Sequence, residues 1–216
     1  MRLTKYSHAC VRFDDGDRAL VIDPGVFSEA STALAGASAV LITHEHPDHL
    51  DEVALRAAAA ANPQLRIWAP TSVVATLADL GERVTDSSPA SGGAPFDAAG
   101  FSVQAFGSQH ALVHPLIPII ANVGYLVQGL AYHPGDSFTV PNVDVQTLLV
   151  PTNAPWAKAS EIVDFVVAVR APQVFQIHDG LITETGAKVI EGILGPIIGR
   201  YDVEFTHLAP SATVTL

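Results

Sequence analysis

Apolar and polar positions divide the chain into short strands and a few helices. Residues 2–13 alternate loosely, Asp14-Asp15-Gly16-Asp17 reads as a turn, and Arg18 to Ile22 follows as the second arm of a hairpin. Asp23-Pro24-Gly25 stops that arm abruptly. Ala39 to Ile42 is apolar and partly β-branched, which predicts a buried strand. Leu50 to Ala61, with an acidic first turn and five consecutive alanines, predicts a helix ended by Asn62-Pro63. Leu65 to Trp68 reads as a strand, and Ser72 to Leu80 as a helix closed by Gly81. Further strands are expected at 101–106, 123–128, 148–150 and 174–177, helices at 160–170 and 184–194, and short strands from Tyr201 to the end. The Ser-, Pro-, Gly- and Ala-rich stretch 85–100 reads as a loop or weak hairpin, a seam between two halves of one domain spanning 1–216. Strands then alternate with helices on either side of that seam, which fits sheets enclosed by helical layers.

Composition narrows the classes. The chain has 216 residues, 49% of them hydrophobic, enough for one shared core. A formal charge of −11 disfavours a nucleic-acid partner, because phosphodiester backbones are repelled at long range. Cys10 is the single cysteine, so no intrachain disulfide can form. The first residues lack an apolar signal core, and the run 112–130 is broken by His114, Pro115, Pro118, Asn122 and Gly124, too often to span a bilayer. A cytoplasmic protein without a membrane partner is expected. The sequence does not specify an oligomeric state.

Nine histidines stand out in a chain with only 15% charged residues. His44-Glu45-His46-Pro47-Asp48-His49 lies between a predicted strand and a predicted helix. In extended backbone, residues i and i+2 point the same way, so His44 and His46 can reach one metal ion while Glu45 turns away. Pro47 favours a sharp turn, which displaces Asp48 and His49 toward a second metal position. Imidazole and carboxylate suit zinc, and also manganese or iron.

The string resembles the His-x-His-x-Asp-His signature of the metallo-β-lactamase superfamily. That resemblance implies an α+β fold, a four-layer αββα sandwich with the metals at the edge between its sheets. It implies His110 as the third ligand of a first metal with His44 and His46. It implies His178 as a ligand of a second metal with Asp48 and His49, and Asp136 of Gly135-Asp136 as the bridge. Two divalent ions, zinc first, would carry a bridging hydroxide, with Asp48 orienting it. Asp23 resembles the early Asp-Pro element that orients a ligand histidine. Tyr6-Ser7-His8-Ala9 resembles an element of the branch containing ascorbate-6-phosphate lactonase, and His8 and His133 are the candidate proton donors. His114 and Trp156 are assigned to the substrate pocket. The activity implied is hydrolysis of a small substrate at an ester, lactone or amide carbonyl; a small phosphodiester, or a metal-binding scaffold or sensor without turnover, is the alternative.

Overall fold

A computed structural model describes residues 1–89 and 93–216. The expected seam at 85–100 includes residues 90–92, which lie outside the described set.

The first sheet is built from β1 (Arg2–Lys5), β2 (Val11–Asp15), β3 (Arg18–Ile22), β4 (Ala39–Leu41), β5 (Arg66–Ala69) and β6 (Val84–Asp86). The second contains β7 (Phe96–Ala98), β8 (Phe101–Phe106), β9 (Gly124–Val127), β10 (Ala131–His133), β11 (Thr147–Pro151), β12 (Gln173–Ile177) and β13 (Glu204–Thr206). The last strand, β14 (Thr213–Thr215), returns to the first sheet and pairs with β1. The sheet orders are β14-β1-β2-β3-β4-β5-β6 and β13-β12-β11-β10-β9-β8-β7.

Helices α1 (Ala30–Ala33), α2 (Glu52–Ala61) and α3 (Thr71–Thr76) belong to the first half, and α4 (Ala159–Val169) and α5 (Glu184–Ile198) to the second. Three apolar clusters make the layers. Leu3, Phe13, Leu20, Phe101, Tyr125 and Phe175 fill the space between the sheets. Val21, Val40, Leu55 and Ile67 join the first sheet to its helices. Leu126, Leu148, Phe165 and Leu194 do the same for the second. This is the αββα sandwich.

Three elements differ from expectation. The helix expected at 72–80 ends at Thr76 and continues as a 3-10 segment, Ala78–Arg83, around Gly81 at φ 60°. Only glycine adopts that backbone without strain, so the residue kinks the segment instead of following it. The stretch 85–100, expected as a loop or weak hairpin, carries most of β6 and all of β7, which lie on different sheets. Helix α5 runs on to Ile198 through Pro196. In α2, Asp51 caps the helix by accepting the Val53 and Ala54 N–H groups, so the helix starts at Glu52.

Strand direction places the chemistry. β3, β4 and β5 run parallel, and β1 has the same sense because it is antiparallel to β2, itself antiparallel to β3. In the second sheet β10, β11 and β12 are parallel, and β8 shares their sense through β9. The loops after β1, β3, β4, β8, β10 and β12 carry the chemistry-bearing residues, all at carboxyl ends of strands. Cross-sheet bonds close this edge: Val123 N–H to Thr43 O at 2.9 Å, His178 N–H to His8 O at 2.9 Å and the Tyr125 hydroxyl to Ile42 O at 2.9 Å. The end of an open sheet of this kind is where ligands bind.

Candidate metal centre

Two clusters form at that edge. His44, His46, His110 and Asp136 make one; His8, Asp48, His49 and His178 make the other. Within each, one ligand atom per residue lies within 4.8 Å of all the others. Asp136 joins them: its Oδ2 is 3.3 Å from His110 Nε2 and 3.1 Å from His178 Nε2, and its Oδ1 is 3.1 Å from His49 Nε2.

Hydrogen bonds fix which nitrogen of each ring faces inward. Asp23, wholly buried, accepts the Thr43 N–H at 2.8 Å, the Thr43 hydroxyl at 2.7 Å and His49 Nδ1–H at 2.7 Å. The Thr43 hydroxyl proton is therefore used, and its oxygen accepts from His44 Nδ1 at 3.0 Å. His110 Nδ1 donates to Ala111 O and His178 Nδ1 to Asn153 O, each at 2.6 Å. All four rings thus turn Nε2 toward the centre, and a neutral ring held this way presents the lone pair a metal ligand needs. His44 Nε2 and His46 Nδ1 stand 3.0 Å apart. Two nitrogens on one zinc also stand roughly 3 Å apart, since each lies about 2.0–2.1 Å from the ion.

Among buried polar atoms, His49 Nε2, His110 Nε2, Asp136 Oδ1 and His178 Nε2 have no hydrogen-bond partner. An orphaned buried acceptor costs about 1–3 kcal/mol, and here four converge. A pair of divalent cations would satisfy them, so the residues fit such a group.

His8 differs. It is buried at φ 59°, its Nδ1 accepts the Gly180 N–H at 3.2 Å, and its Nε2 lies 2.9 Å from Asp48 Oδ2. With Nδ1 accepting, the neutral ring carries its proton on Nε2 and donates it to Asp48. Gly180 is packed against the ring; a Cβ there would meet His8 Nδ1 at 3.1 Å.

The electrostatics favour positive charge at the centre. Burial pulls His49 down, but the Asp136 and Asp23 carboxylates lift it well above the usual imidazole range. Burial also opposes His178, yet the Asp136 and Asp48 carboxylates beside its Nε2 push it up to about 9. Burial, with the neighbouring His49, holds His44 well below its ordinary value. Burial raises Asp136, but His49, His110 and His178 hold it well below the carboxylate range. Without a cation, both His49 and His178 are biased toward the protonated ring. Cation uptake there is expected to expel protons and to tighten as pH rises toward about 9. Calorimetric titration of zinc into metal-stripped protein, in buffers of different ionisation enthalpy, measures this; a heat independent of buffer would contradict it. The sign for stability is opposite. The His178 imidazolium stabilises the cation-free fold fully below about 6.5, and that contribution is lost as pH rises through about 9.

Other predicted residues fall in different places. His133 is buried; Nε2 donates to Ala9 O at 2.9 Å and Nδ1 accepts the Gly135 N–H at 3.1 Å. Both nitrogens serve the fold, which leaves no proton for a leaving group. His114 is exposed, and its Nδ1 accepts the Leu116 N–H at 3.1 Å. Trp156 is buried with its Nε1–H on Asp136 Oδ2 at 3.1 Å. Its ring also lines a cavity of about 400 Å³ with Leu112, Val113, Phe138 and Pro155, a lining that stops short of His114. None of the clustered histidines or aspartates lines that cavity. The partly exposed members of the clusters are His46 and Asp48, so the centre opens on their side. Phe27, 43% exposed and edge-on to His8 at 5.4 Å, stands beside that opening.

Sequence reasoning missed several supports. Asn122, fully buried, accepts the Asp136 N–H at 2.9 Å and donates to Pro134 O at 2.9 Å, so it holds the turn that presents Asp136. Its signal was a polar residue inside an apolar run. Gly135, at φ 62°, packs on Asn122 and Thr43 too tightly for any Cβ. Lys5, fully buried, reaches Asp179 at 2.9 Å, and Asp179 also accepts from Gln176 at 3.1 Å, which anchors the loop carrying His178.

Fold and site together define a protein of the metallo-β-lactamase type, with paired histidine–aspartate clusters that could hold metal. A Beta-lactamase superfamily domain matches residues 2–178, and the chain belongs to that superfamily. It is 36% identical over 204 residues to Protein Rv0786c of Mycobacterium tuberculosis, covering 90% of this chain and 91% of that one. It is 32% identical over 126 residues to a protein of Xanthobacter autotrophicus named UPF0173 metal-dependent hydrolase, covering 55% of this chain and 51% of that one. Among solved structures, Igni18, a metallo hydrolase of Ignicoccus hospitalis, superposes with a TM-score of 0.72 at 16% identity, covering 99% and 97% of the two chains. No helix among the described residues is long and apolar enough to cross a membrane.

Proposed function

We propose that this chain is a metal-dependent hydrolase that opens an ester, lactone or amide carbonyl in a small substrate. The observation that carries the reading is the convergence of three unpartnered imidazole nitrogens and an unpartnered carboxylate oxygen between two histidine–aspartate clusters. His44, His46 and His110 would hold one divalent ion, Asp48, His49 and His178 the other, and Asp136 both. Zinc is the first choice, with manganese or iron next, on the hardness of the donors.

A divalent pair supplies Lewis acidity and lowers the pKa of water from 15.7 to about 7. The chain does the rest. Asp23 and Thr43 fix the His44 and His49 tautomers. Asp48, partly exposed, orients the nucleophile at the mouth. His8 donates its Nε2–H to Asp48 and so orients that carboxylate; with Nδ1 accepting the Gly180 N–H, the neutral ring holds no proton to spare for a leaving group. His133 braces the turn before Asp136. Phe27 flanks the mouth and suits a substrate with an apolar part. The Ser7-His8 element and its bond to Asp48 favour the lactonase-like branch. The name of the Xanthobacter relative agrees with the hydrolase reading. We further propose a single domain over 1–216, a cytoplasmic setting, and no nucleic-acid partner, given the charge of −11.

The test combines metal analysis with a substrate panel. Protein stripped by chelation and reloaded with zinc or manganese is assayed on lactones, aryl esters and bis(p-nitrophenyl) phosphate. Carbonyl turnover that disappears on stripping and returns on reloading is the expected result. Turnover confined to the phosphodiester would move the reading to a phosphodiesterase. Absence of bound metal would end it.

A further inference from the structure

We infer that Trp156 is a positioning residue that fixes the plane of the Asp136 carboxylate, and so keeps one of its oxygens between the two clusters; this rests on the metal-centre reading above. The Asp136 backbone is held on both sides. Its N–H goes to Asn122 and its carbonyl accepts the Ala111 N–H at 2.8 Å. What remains free is the torsion of the carboxylate itself, a broad and roughly two-fold well that side-chain sterics alone do not resolve. A half-turn only exchanges two equivalent oxygens, but a partial turn would take an oxygen out from between His110 and His178.

The surroundings of the two oxygens are unequal. Oδ2 faces one nitrogen from each cluster, His110 at 3.3 Å and His178 at 3.1 Å, and accepts the Trp156 N–H at 3.1 Å. Oδ1 faces His49 and has no hydrogen-bond partner. Imidazole Nε2 atoms lie beside both oxygens without a hydrogen bond to either. The indole N–H is the hydrogen-bond donor that distinguishes them. Indole nitrogen can only donate, so the contact cannot invert.

The indole is itself immobilised. It stands edge-on to His110 at 5.8 Å and to Phe138 at 5.1 Å, and it is 8% exposed. A rigid donor on a bridging carboxylate is the kind of outer contact whose removal weakens metal binding 10–100-fold.

Two measurements test this. In a Trp68→Phe background Trp156 is the one indole left, because the chain has two tryptophans. Its Nε1–H resonance, followed by two-dimensional nitrogen–proton NMR, is expected to shift as zinc is added. An unmoved resonance with zinc bound would overturn the inference. In the second, Trp156→Phe keeps the ring and removes the N–H, while Trp156→Leu removes both. Zinc affinity, measured by chelator competition, is expected to fall about 10–100-fold for one of two equivalents in the Phe variant. If Phe keeps both affinities and only Leu loses them, Trp156 acts by packing and the inference fails. If wild-type protein takes up no zinc, the metal-centre reading fails instead. The NMR measurement stands even if both variants misfold.

Discussion

Asp136→Ala is expected to lose uptake of at least one metal equivalent and to lower hydrolysis by about 10³-fold or more, beyond the 10–100-fold typical of removing an outer contact. The reason is geometric. This one carboxylate lies within 3.3 Å of nitrogens from both clusters, and among the described residues no other side chain does so with both its oxygens. Its removal also acts on the cation-free protein. His49 and His178 are biased toward the protonated ring there chiefly because Asp136 faces them. Without it, His49 keeps only Asp23 and His178 only Asp48 to raise them, so both pKa values fall and the buried rings lose a stabilising partner. The variant should therefore show both a lower Tm after stripping and fewer protons released on adding zinc. Metal analysis, calorimetry and the lactone and ester assay read these separately. Full zinc content with wild-type turnover would refute the bridging role.

The legibility of this site follows from sequence separation. His44 to His49 lie within six residues, and the period of extended backbone alone pairs His44 with His46. His110, Asp136 and His178 are far apart in sequence, and each was implied by the superfamily resemblance, at a polar residue that follows an apolar run. That rule works because parallel strands deliver their carboxyl ends to one edge. It fails for what lies beneath. Asn122, Lys5 and Asp179 act through bonds spanning 12 to 174 residues, and no local pattern announces them. His133 shows the converse. It sits at a strand end like the ligands, yet its ring turns back to Ala9 and Gly135. Sequence position did not reveal that rotation. Trp156 was read as a pocket wall; its bond to Asp136 depends on a loop geometry that only tertiary packing sets. Among the elements, long strands and α2 were legible from periodicity. The three-residue strands β6, β7 and β10 are too short to carry a period, whereas β4, equally short, was legible as an unbroken apolar run.

Asp23→Ala is expected to destabilise the fold by about 3–5 kcal/mol, because it strands the Thr43 N–H, the Thr43 hydroxyl and His49 Nδ1–H in a fully buried place. In a protein of this size that is roughly 10 °C of Tm. Asp23→Asn separates orientation from stability. Its amide oxygen can still accept the Thr43 N–H, but its NH₂ then faces His49 Nδ1 and must donate. His49 is forced to move its proton to Nε2, which points that N–H at Asp136 in place of a lone pair. The Asn variant should thus keep most of its thermal stability while binding of one zinc weakens by about 10–100-fold. Thermal denaturation of stripped protein, alongside chelator competition, compares the two variants directly. If Asp23→Asn binds two zinc ions as tightly as the wild type, the tautomer of His49 is not set by Asp23, and the inward lone pair at this position needs another cause.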